Sequence, residues 1–473
     1  MFAVFSTSAV RRRRAARRLA AAAVVSGLMA AGSIAGAGTA AADDAVQHQG
    51  GAVATLDGLQ TYDQAVLHTN GKDQEILAGL FEMTVDGGGQ LQTYCIDIHN
   101  PTQDQAKYLE TPWNQTSLGA NENAGKIRWI LQHSFPQVND LAALADSAGL
   151  DGQLTDRTAA AGTQVAIWRF SDGADVTAAD PQAEKLADWL QESAANVEEP
   201  KASLSLEPNA VSGKPGSRLG PVTVRTDAGQ VAVAAPADAA SSGIKITDEA
   251  GKPVTSAVDG SKLFFDVPED AADGTATLSV QASMSVPVGR AFASATKSQT
   301  QILAGSSRST VSAQAAATWA KAGAIPSLSA KKNCAKGGVD ITAGNKGDAP
   351  FTFSLAGFEH TIKAGESRTV TVPVGEDQAY DFTITGPGGF EKNFKGVLDC
   401  KTASAPAQPG TETPSSQPSP ASAGGTSAGL EGGLAATGGS SATPMIAGIA
   451  IVLVLAGGGA VFFLRKKKSA GAE

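Results

Sequence analysis

The sequence contains few of the residues from which most metal and redox sites are built. Among its 473 residues are only three cysteines and five histidines, and aromatic residues make up 5% of the chain. His48, His68 and His360 show no metal-ligand spacing, and the chain has no CxxC pair, phosphate-binding loop or paired-carboxylate motif. We therefore expect no metal ion and no cofactor, and most enzyme classes have little support.

The chain also lacks an excess of positive charge. Its 37 basic residues are outnumbered by 46 acidic ones, which gives a formal net charge of −9. Much of the positive charge lies at the two ends, as six arginines before Leu19 and as the run Arg465–Lys468, so the part between them is more acidic still. So acidic a chain argues against nucleic acid or an anionic membrane surface as a partner.

Residues 1–42 have the order of a secretory signal. The six arginines precede a run of small apolar residues, which closes on Ala40-Ala41-Ala42 before two aspartates. An uncleaved membrane anchor is the alternative, but the richness in Ala and Gly and the small-residue site favour cleavage. Arg17 and Arg18 leave both the general and the twin-arginine export routes open. We expect a secreted protein.

Residues 50–200 are predicted to form a mixed α+β head domain. Ile76–Val85 and Leu91–Ile98 alternate around a glycine-rich turn, which predicts a hairpin with Cys95 on its second strand. The stretch NAGKIRWILQHS has helical spacing of its apolar residues. Asp180 followed by a proline predicts the capped start of another helix.

The chain after the head is predicted to form two β-sandwich modules of immunoglobulin-like type, at residues 201–305 and 327–401. Both contain short β runs separated by Gly, Pro and Asp, whereas residues 306–324 are rich in Ala and Ser and are ambiguous. Cys334 and Cys400 bracket the second module. We predict a disulfide between them, because a cross-link that restricts the unfolded chain stabilises a small exported sandwich. Two free thiols are the alternative.

The C-terminal part is predicted to contain no further core. Residues 402–433 are rich in Pro, Ser, Thr and Gly, which predicts a disordered stalk. The apolar run at 444–464 is long enough for a transmembrane helix. The basic tail Arg465–Lys468 follows it, and positive charge stays on the cytoplasmic side of a membrane.

The segment 434–473 resembles a known sorting signal. Leu434-Ala435-Ala436-Thr437-Gly438, the apolar run and the basic tail together resemble the LPxTG-type signal of Gram-positive surface proteins, in an LAxTG variant. Ala435 stands where the commoner motif has proline, which leaves the sortase class open. The resemblance implies that a sortase cuts between Thr437 and Gly438, joins Thr437 to peptidoglycan and discards the apolar run. A plain single-pass membrane protein is the alternative.

The predicted disulfide leaves Cys95 without a partner, and three readings of it compete. It is a small buried hydrophobic residue, as free cysteines often are. Alternatively, it is the thiolate of a surface cysteine hydrolase with His99 or His133 as base. In the third reading its thiol condenses with a glutamine carboxamide to form a thioester.

The stretch GTQVAIW supplies a glutamine for the third reading. We predict an amphipathic helix here, capped by Thr155 or Asp156 and ended by Gly173. Gln164 and Trp168 are four residues apart and share a face of that helix. A carboxamide beside a buried tryptophan is desolvated and needs partners, so core packing explains the tryptophan but not the glutamine.

Together the two stretches resemble the thioester domain of Gram-positive surface proteins. That family carries a TQxAIW motif downstream of its thioester cysteine, and here TQVAIW places Gln164 69 residues after Cys95 in TYCID. The resemblance implies an internal thioester between Cys95 and Gln164 that captures nucleophiles on a target. The other motif positions would position and shield the bond; they are Thr163, Ala166, Ile167 and Trp168.

We therefore expect a wall-anchored surface protein that attaches covalently to an amine-bearing target. A lysine amine would form an amide with Gln164 and release the Cys95 thiol, which is a single turnover and not enzymatic catalysis in the usual sense. Residues 95 and 97 point the same way on a strand, so Asp97 is a candidate helper; a solvated acid at a strand end is the alternative.

Two other functions compete with this expectation. They are a noncovalent structural or binding protein with an inert Cys95, and the cysteine hydrolase. The expected partners are the amine-bearing target, a sortase and peptidoglycan.

Overall fold

The computed structural model describes residues 50–69, 71–237 and 239–402. The predicted secretory signal, all but the first residue of the stalk, and the sorting signal with its apolar run at 444–464 lie outside these residues. Within the part of the chain that is described, no helix is both long and apolar enough to cross a membrane.

The head contains four strands followed by helices with one short strand between them, which agrees with the predicted α+β domain. Its elements are β1 Val53–Thr69, β2 Lys72–Val85, β3 Gln90–Cys95, β4 Lys107–Thr111, α1 Ala124–His133, α2 Leu141–Ser147, α3 Asp156–Ser171, β5 Val176–Ala178 and α4 Pro181–Ser193.

The predicted hairpin is present and presents Cys95 at its end. Strands β2 and β3 are antiparallel neighbours, and the three glycines of their turn all have positive φ, a conformation that glycine adopts at little cost. Strand β3 ends at Cys95, three residues earlier than predicted, because the chain turns at Asp97–Asn100, where the Asn100 N–H donates to the Asp97 carbonyl. The alternation that was expected to align Asp97 with Cys95 therefore stops before Asp97.

The helix ends follow the predicted caps. Thr155 caps α3 in a reciprocal capping box with Thr158, and Gly173, with φ of 61°, follows the last turn. The Asp180 side chain accepts hydrogen bonds from two backbone N–H groups at the start of α4, whose first residue is Pro181. Local sequence therefore sets both helices on which the site depends.

The middle of the chain forms two sheets that bury their inner faces in one core. One sheet has the strand order β10-β12-β8-β6 and the other β11-β9-β13-β16-β7. The elements in this part are β6 Leu204–Glu207, β7 Ala210–Gly213, β8 Arg218–Thr226, β9 Val231–Ala234, α5 Ala239–Ser242, β10 Lys245–Thr247, β11 Ser256–Ala257, β12 Lys262–Asp266, β13 Gly274–Ser285, β14 Ala291–Ser294, β15 Gln301–Ser306 and β16 Arg308–Trp319.

The structure differs from the predicted division at residue 305. Strands β14 and β15 leave the sandwich and enter the sheet of the head, which has the order β2-β3-β15-β14-β4-β1-β5. The ambiguous stretch after residue 305 then returns as β16, antiparallel to β13 and in the centre of a sandwich sheet. The inserted hairpin pairs the free edges of β3 and β4, which would otherwise leave buried backbone groups without partners.

A buried ion pair fixes the base of this inserted hairpin. Arg290 and Glu110 are almost fully buried, and Nε of Arg290 donates to Oε1 of Glu110 at 2.9 Å. The same carboxylate accepts the N–H groups of Ala52 and Ser203, so its charge is compensated by several donors. The start of the head, the linker after α4 and the hairpin therefore meet at one carboxylate.

The C-terminal module has its own smaller core. Its strands are β17 Pro326–Asn333, β18 Gly338–Asn345, β19 Phe351–Leu355, β20 Phe358–Ile362, β21 Ser367–Pro373, β22 Gln378–Thr385 and β23 Glu391–Leu398. They form a three-stranded sheet and two hairpins around buried phenylalanine and aliphatic side chains. The predicted disulfide between Cys334 and Cys400 is present and closes the module from its first strand to its last.

Candidate functional site

Cys95 is the free cysteine of the chain and is fully buried. It lies at the end of β3, directly opposite Gln301 of β15. On the other side, the ladder between β2 and β3 ends at the pair Phe81 and Thr93, so β2 no longer pairs with Cys95. The backbone N–H and C=O of Cys95 therefore need another partner.

Gln164 provides that partner. The N–H of Cys95 donates to Oε1 of Gln164 at 2.9 Å, and Nε2 of Gln164 donates to the carbonyl of Cys95 at 2.8 Å. The glutamine is 0% exposed, so the two bonds satisfy a carboxamide that would be costly to bury alone. These two bonds explain why a glutamine lies on the apolar face of α3. They also hold the amide carbon of Gln164 beside residue 95.

Helix α3 reaches this position because it packs tightly on its neighbours. A side chain at Gly162 would place a Cβ 2.5 Å from the carbonyl of Ala183 in α4, so only glycine allows this approach. Ala166, Ile167 and Trp168 are buried, and Thr163 Oγ1 bonds back to the Ala159 carbonyl within the helix. The motif residues thus surround the glutamine with packed side chains, which keeps water away from it.

Opposing influences act on the Cys95 thiol. Burial raises the pKa of Cys95 most, and the negative charge of Asp172 raises it further. The indole N–H of Trp168 and the backbone N–H of Asp97 lower the pKa because they favour the thiolate; the latter lies 3.3 Å from Sγ. Nε1 of Trp168 is buried and has no hydrogen-bond partner among the described residues. A buried donor left open beside a thiol suits a site in which negative charge develops on sulfur.

Asp172 is a site residue that the sequence reasoning missed. It follows α3 and lies four residues after Trp168 and eight after Gln164, which places all three on one helical face. Oδ1 accepts the Ile98 N–H at 3.0 Å, and Oδ2 accepts the Ser171 hydroxyl at 2.6 Å. Burial raises the pKa of Asp172 to about 7 despite these two bonds. The four-residue spacing is the signal that could have identified it.

The other candidates from the sequence lie in different settings. The carboxylate of Asp97 accepts from the Asn100 side chain, and its charge acts on Cys95 less than that of Asp172. His133 is exposed, stacks on Trp129 and bonds to the Trp129 carbonyl. Burial lowers the pKa of His99. In the described part of the chain, no histidine is among the groups that shift the pKa of Cys95, so the geometry gives no support to an imidazole base.

Comparison with known proteins agrees with this site. A thioester domain family model matches residues 92–196, and a family model of the C-terminal domain of bacterial phospholipase C matches residues 313–397. No curated protein sequence matches the chain.

Two solved structures of thioester proteins are similar to the chain at low identity. The Bacillus anthracis TIE protein is 14% identical, with 74% of this chain and 81% of that chain covered and a TM-score of 0.26. The thioester domain of the Enterococcus faecium TIE86 protein is 15% identical, with 57% and 97% covered and a TM-score of 0.27. The region that holds both Cys95 and Gln164 thus matches the thioester domain family.

Proposed function

We propose that Cys95 and Gln164 form an internal thioester that captures amines on a target surface. The observation that carries this proposal is the reciprocal pair of hydrogen bonds between the buried Cys95 backbone and the Gln164 carboxamide. These bonds hold the Gln164 carboxamide against the backbone of residue 95 before reaction, and such prior positioning favours an intramolecular attack by the thiol of the same residue. The family match over residues 92–196 supports the same chemistry.

Bond formation is a condensation that releases ammonia. The Cys95 sulfur attacks Cδ of Gln164, the carbon–sulfur bond forms, and the carbon–nitrogen bond breaks. The thiol proton passes to the departing nitrogen, which leaves as ammonia. Negative charge develops on Oε1 during the attack, and the Cys95 N–H already donates to this atom, so it acts as an oxyanion donor.

Capture of the target breaks the carbon–sulfur bond of the thioester and releases the Cys95 thiol. An amine nitrogen attacks the thioester carbon, an amide to Gln164 forms, and the carbon–sulfur bond breaks. One proton of the amine passes to sulfur, which restores the Cys95 thiol. The amide is stable, so each molecule reacts once, and the protein acts as a covalent adhesin and not as a turnover enzyme.

The rest of the chain would present this head at the cell surface. The sandwich and the C-terminal module are spacers, and the Pro-rich segment continues them toward the predicted LAxTG signal. In this proposal a sortase joins Thr437 to peptidoglycan. We expect the protein to resist boiling detergent, to be released by cell-wall hydrolases, and to end at Thr437; intact chains ending at Glu473 on mature cells would instead support a membrane protein.

A noncovalent binding protein is the second candidate, and one observation favours it. The Cys95 backbone satisfies the hydrogen bonds of the Gln164 carboxamide without any bond to sulfur. These hydrogen bonds alone therefore account for a buried glutamine at this position. The cysteine hydrolase has no comparable support, since the pKa of Cys95 is not set by an imidazole.

Intact mass separates these candidates. Residues 43–402 should be lighter than their sequence by one ammonia beyond the disulfide, and methylamine should add at Gln164 while it exposes one thiol. Cys95→Ala and Gln164→Ala should each keep the full mass and capture nothing, yet remain folded. A full wild-type mass together with a freely alkylated Cys95 would exclude the thioester.

A further inference from the structure

The strand that pairs with Cys95 continues a short segment that borders the site. Residues 296–301, named here the flanking segment, lead into β15. The carbonyl of Thr300 accepts the Ile96 N–H at 3.1 Å, and Gln299 N–H donates to the Pro101 carbonyl at 3.1 Å. The flanking segment therefore holds the loop that follows Cys95, and this loop cannot move away without breaking these bonds.

The flanking segment is also held by the interior of the head. The Tyr108 hydroxyl donates to the Gln299 carbonyl at 2.8 Å and lies 2.8 Å from the Ser298 hydroxyl. Burial raises the pKa of Tyr108, and the charges of Cys95 and Asp399 raise it further. Tyr108 therefore ties the flanking segment to the buried interior of the head.

The C-terminal module contacts the flanking segment directly. The hydroxyl of Thr300 donates to Oδ2 of Asp399 at 2.7 Å, and Lys297 lies 3.9 Å from Asp377. Within the part of the chain that the structure describes, Oδ1 of Asp399 is buried and has no hydrogen-bond partner. Asp399 immediately precedes Cys400, whose disulfide fixes the end of the module. Burial raises the pKa of Asp399, the Thr300 hydroxyl and the charge of Lys332 lower it, and the charges of Asp377 and Glu376 raise it further, so this bond lies within a charged cluster of the C-terminal module.

We propose that Asp399 is a positioning residue for the thioester site, and that through Thr300 the C-terminal module limits the access of amines and water to Cys95. This inference rests on the proposed function. Cys95 and Gln164 are both 0% exposed, so a target amine reaches the bond only when a bordering segment opens. Opening the flanking segment breaks the Thr300–Asp399 bond in addition to the backbone bonds, and the module therefore makes opening rarer.

The test compares rates of reaction in residues 43–402. Asp399→Ala and Thr300→Val each remove the bond, and each should speed both methylamine addition and hydrolysis of the thioester by about three- to ten-fold, the effect of one hydrogen bond on an opening equilibrium. Thr300→Ser keeps the hydroxyl and should restore the wild-type rates. Lys214→Ala is the matched control: it breaks the ion pair with Asp348 between the same module and the sandwich, and it should leave both rates unchanged.

A second readout does not depend on the thioester. In the Gln164→Ala background Cys95 is a thiol, and its alkylation by iodoacetamide reports the same opening. Adding Thr300→Val or Asp399→Ala to this background should speed alkylation by the same factor, with the C-terminal disulfide intact. Rates within two-fold of the parent in both assays would overturn the inference. A wild-type protein that never loses ammonia would refute the proposed function alone, since alkylation still measures access.

Discussion

At the scale of single residues, the sulfur of Cys95 lies between groups that act on its pKa in opposite directions. Burial and the charge of Asp172 raise the pKa, whereas the indole of Trp168 and the amide of Asp97 lower it. A neutral thiol is a weak nucleophile. The site therefore keeps the thiol protonated at rest and offers N–H donors that stabilise charge only when it develops on sulfur.

Replacing Asp172 should shift the pH dependence of Cys95 reactivity. Asp172 is charged only above its own pKa of about 7, and its charge raises the pKa of Cys95. Asp172→Asn should therefore lower the pKa of Cys95, so that in the Gln164→Ala background alkylation above pH 7 is several-fold faster. Below pH 6 the two proteins should react alike, because Asp172 is then neutral.

Alkylation rates measured from pH 5 to 10 check this expectation. Asp156→Asn, at the exposed opposite end of α3, is the control and should leave the profile unchanged. Equal alkylation rates in Asp172→Asn and its parent above pH 7 would show that the carboxylate does not act on the thiol.

The sequence was sufficient for two of these residues and not for the others. Cys95 and Gln164 follow from the odd cysteine and the TQVAIW motif. Asp97 is predicted as a helper from strand alternation, but β3 ends at Cys95 and the Asp97 carboxylate accepts from the Asn100 side chain. Asp172 is distant in sequence from Cys95, and only the packing of α3 against the loop at Ile98 brings its charge to the thiol.

At the scale of elements, the inserted hairpin β14–β15 belongs to the head domain although it follows the sandwich strands in sequence. It occupies the centre of the seven-stranded sheet and supplies the strand that pairs with Cys95. Residues 50–200 alone would leave the facing edges of β3 and β4 unpaired and would lose the fully buried Phe292 and Ile302. The head is therefore not a contiguous stretch of chain.

A truncation series tests this. Residues 50–200 should give no cooperative thermal unfolding and no loss of ammonia, because buried backbone groups would lack partners. Residues 50–319, which include the hairpin and the completed sandwich, should unfold cooperatively and form the bond. A folded, ammonia-depleted 50–200 fragment would show that the hairpin is dispensable.

Strand positions were more predictable than strand partners. The short β runs of the two later modules and the β2–β3 hairpin follow from alternation and turn residues, which are local signals. The pairing of β15 with β3 joins residues about 200 positions apart, and such a contact leaves no local periodicity. Strand β16 is not predicted clearly because small residues occupy the middle of its buried face, at Ala313, Ala315 and Ala317.

At the scale of the whole molecule, the described chain has two separate hydrophobic cores. One runs continuously from the head through the sandwich, and the other lies inside the C-terminal module. Polar contacts such as Lys214–Asp348 and Thr300–Asp399 join the two parts. We expect parts with separate hydrophobic cores to unfold as separate units.

Calorimetry of residues 43–402 should therefore show two transitions. Cys334→Ser together with Cys400→Ser should lower the midpoint temperature of the C-terminal module's transition alone. In the chain-entropy model, a cross-link over 66 residues contributes about 4 kcal/mol to the free energy of unfolding. Cys95→Ala should leave that transition unchanged. A single transition that shifts as a whole would indicate one cooperative unit.

The head sheet is completed by β14 and β15, which lie far from Cys95 in sequence, and this affects when the thioester can form. A chain is made from its N-terminus at about 5–20 residues per second, so β15 emerges tens of seconds after Cys95. Until then the sheet is incomplete, and the thiol and the carboxamide have no enclosed site in which to condense. In the proposed function, the thioester therefore forms only after β15 has been made, so the bond appears together with the strands that bury it. The order of the strands thus delays the reactive bond until the strands that cover it are present.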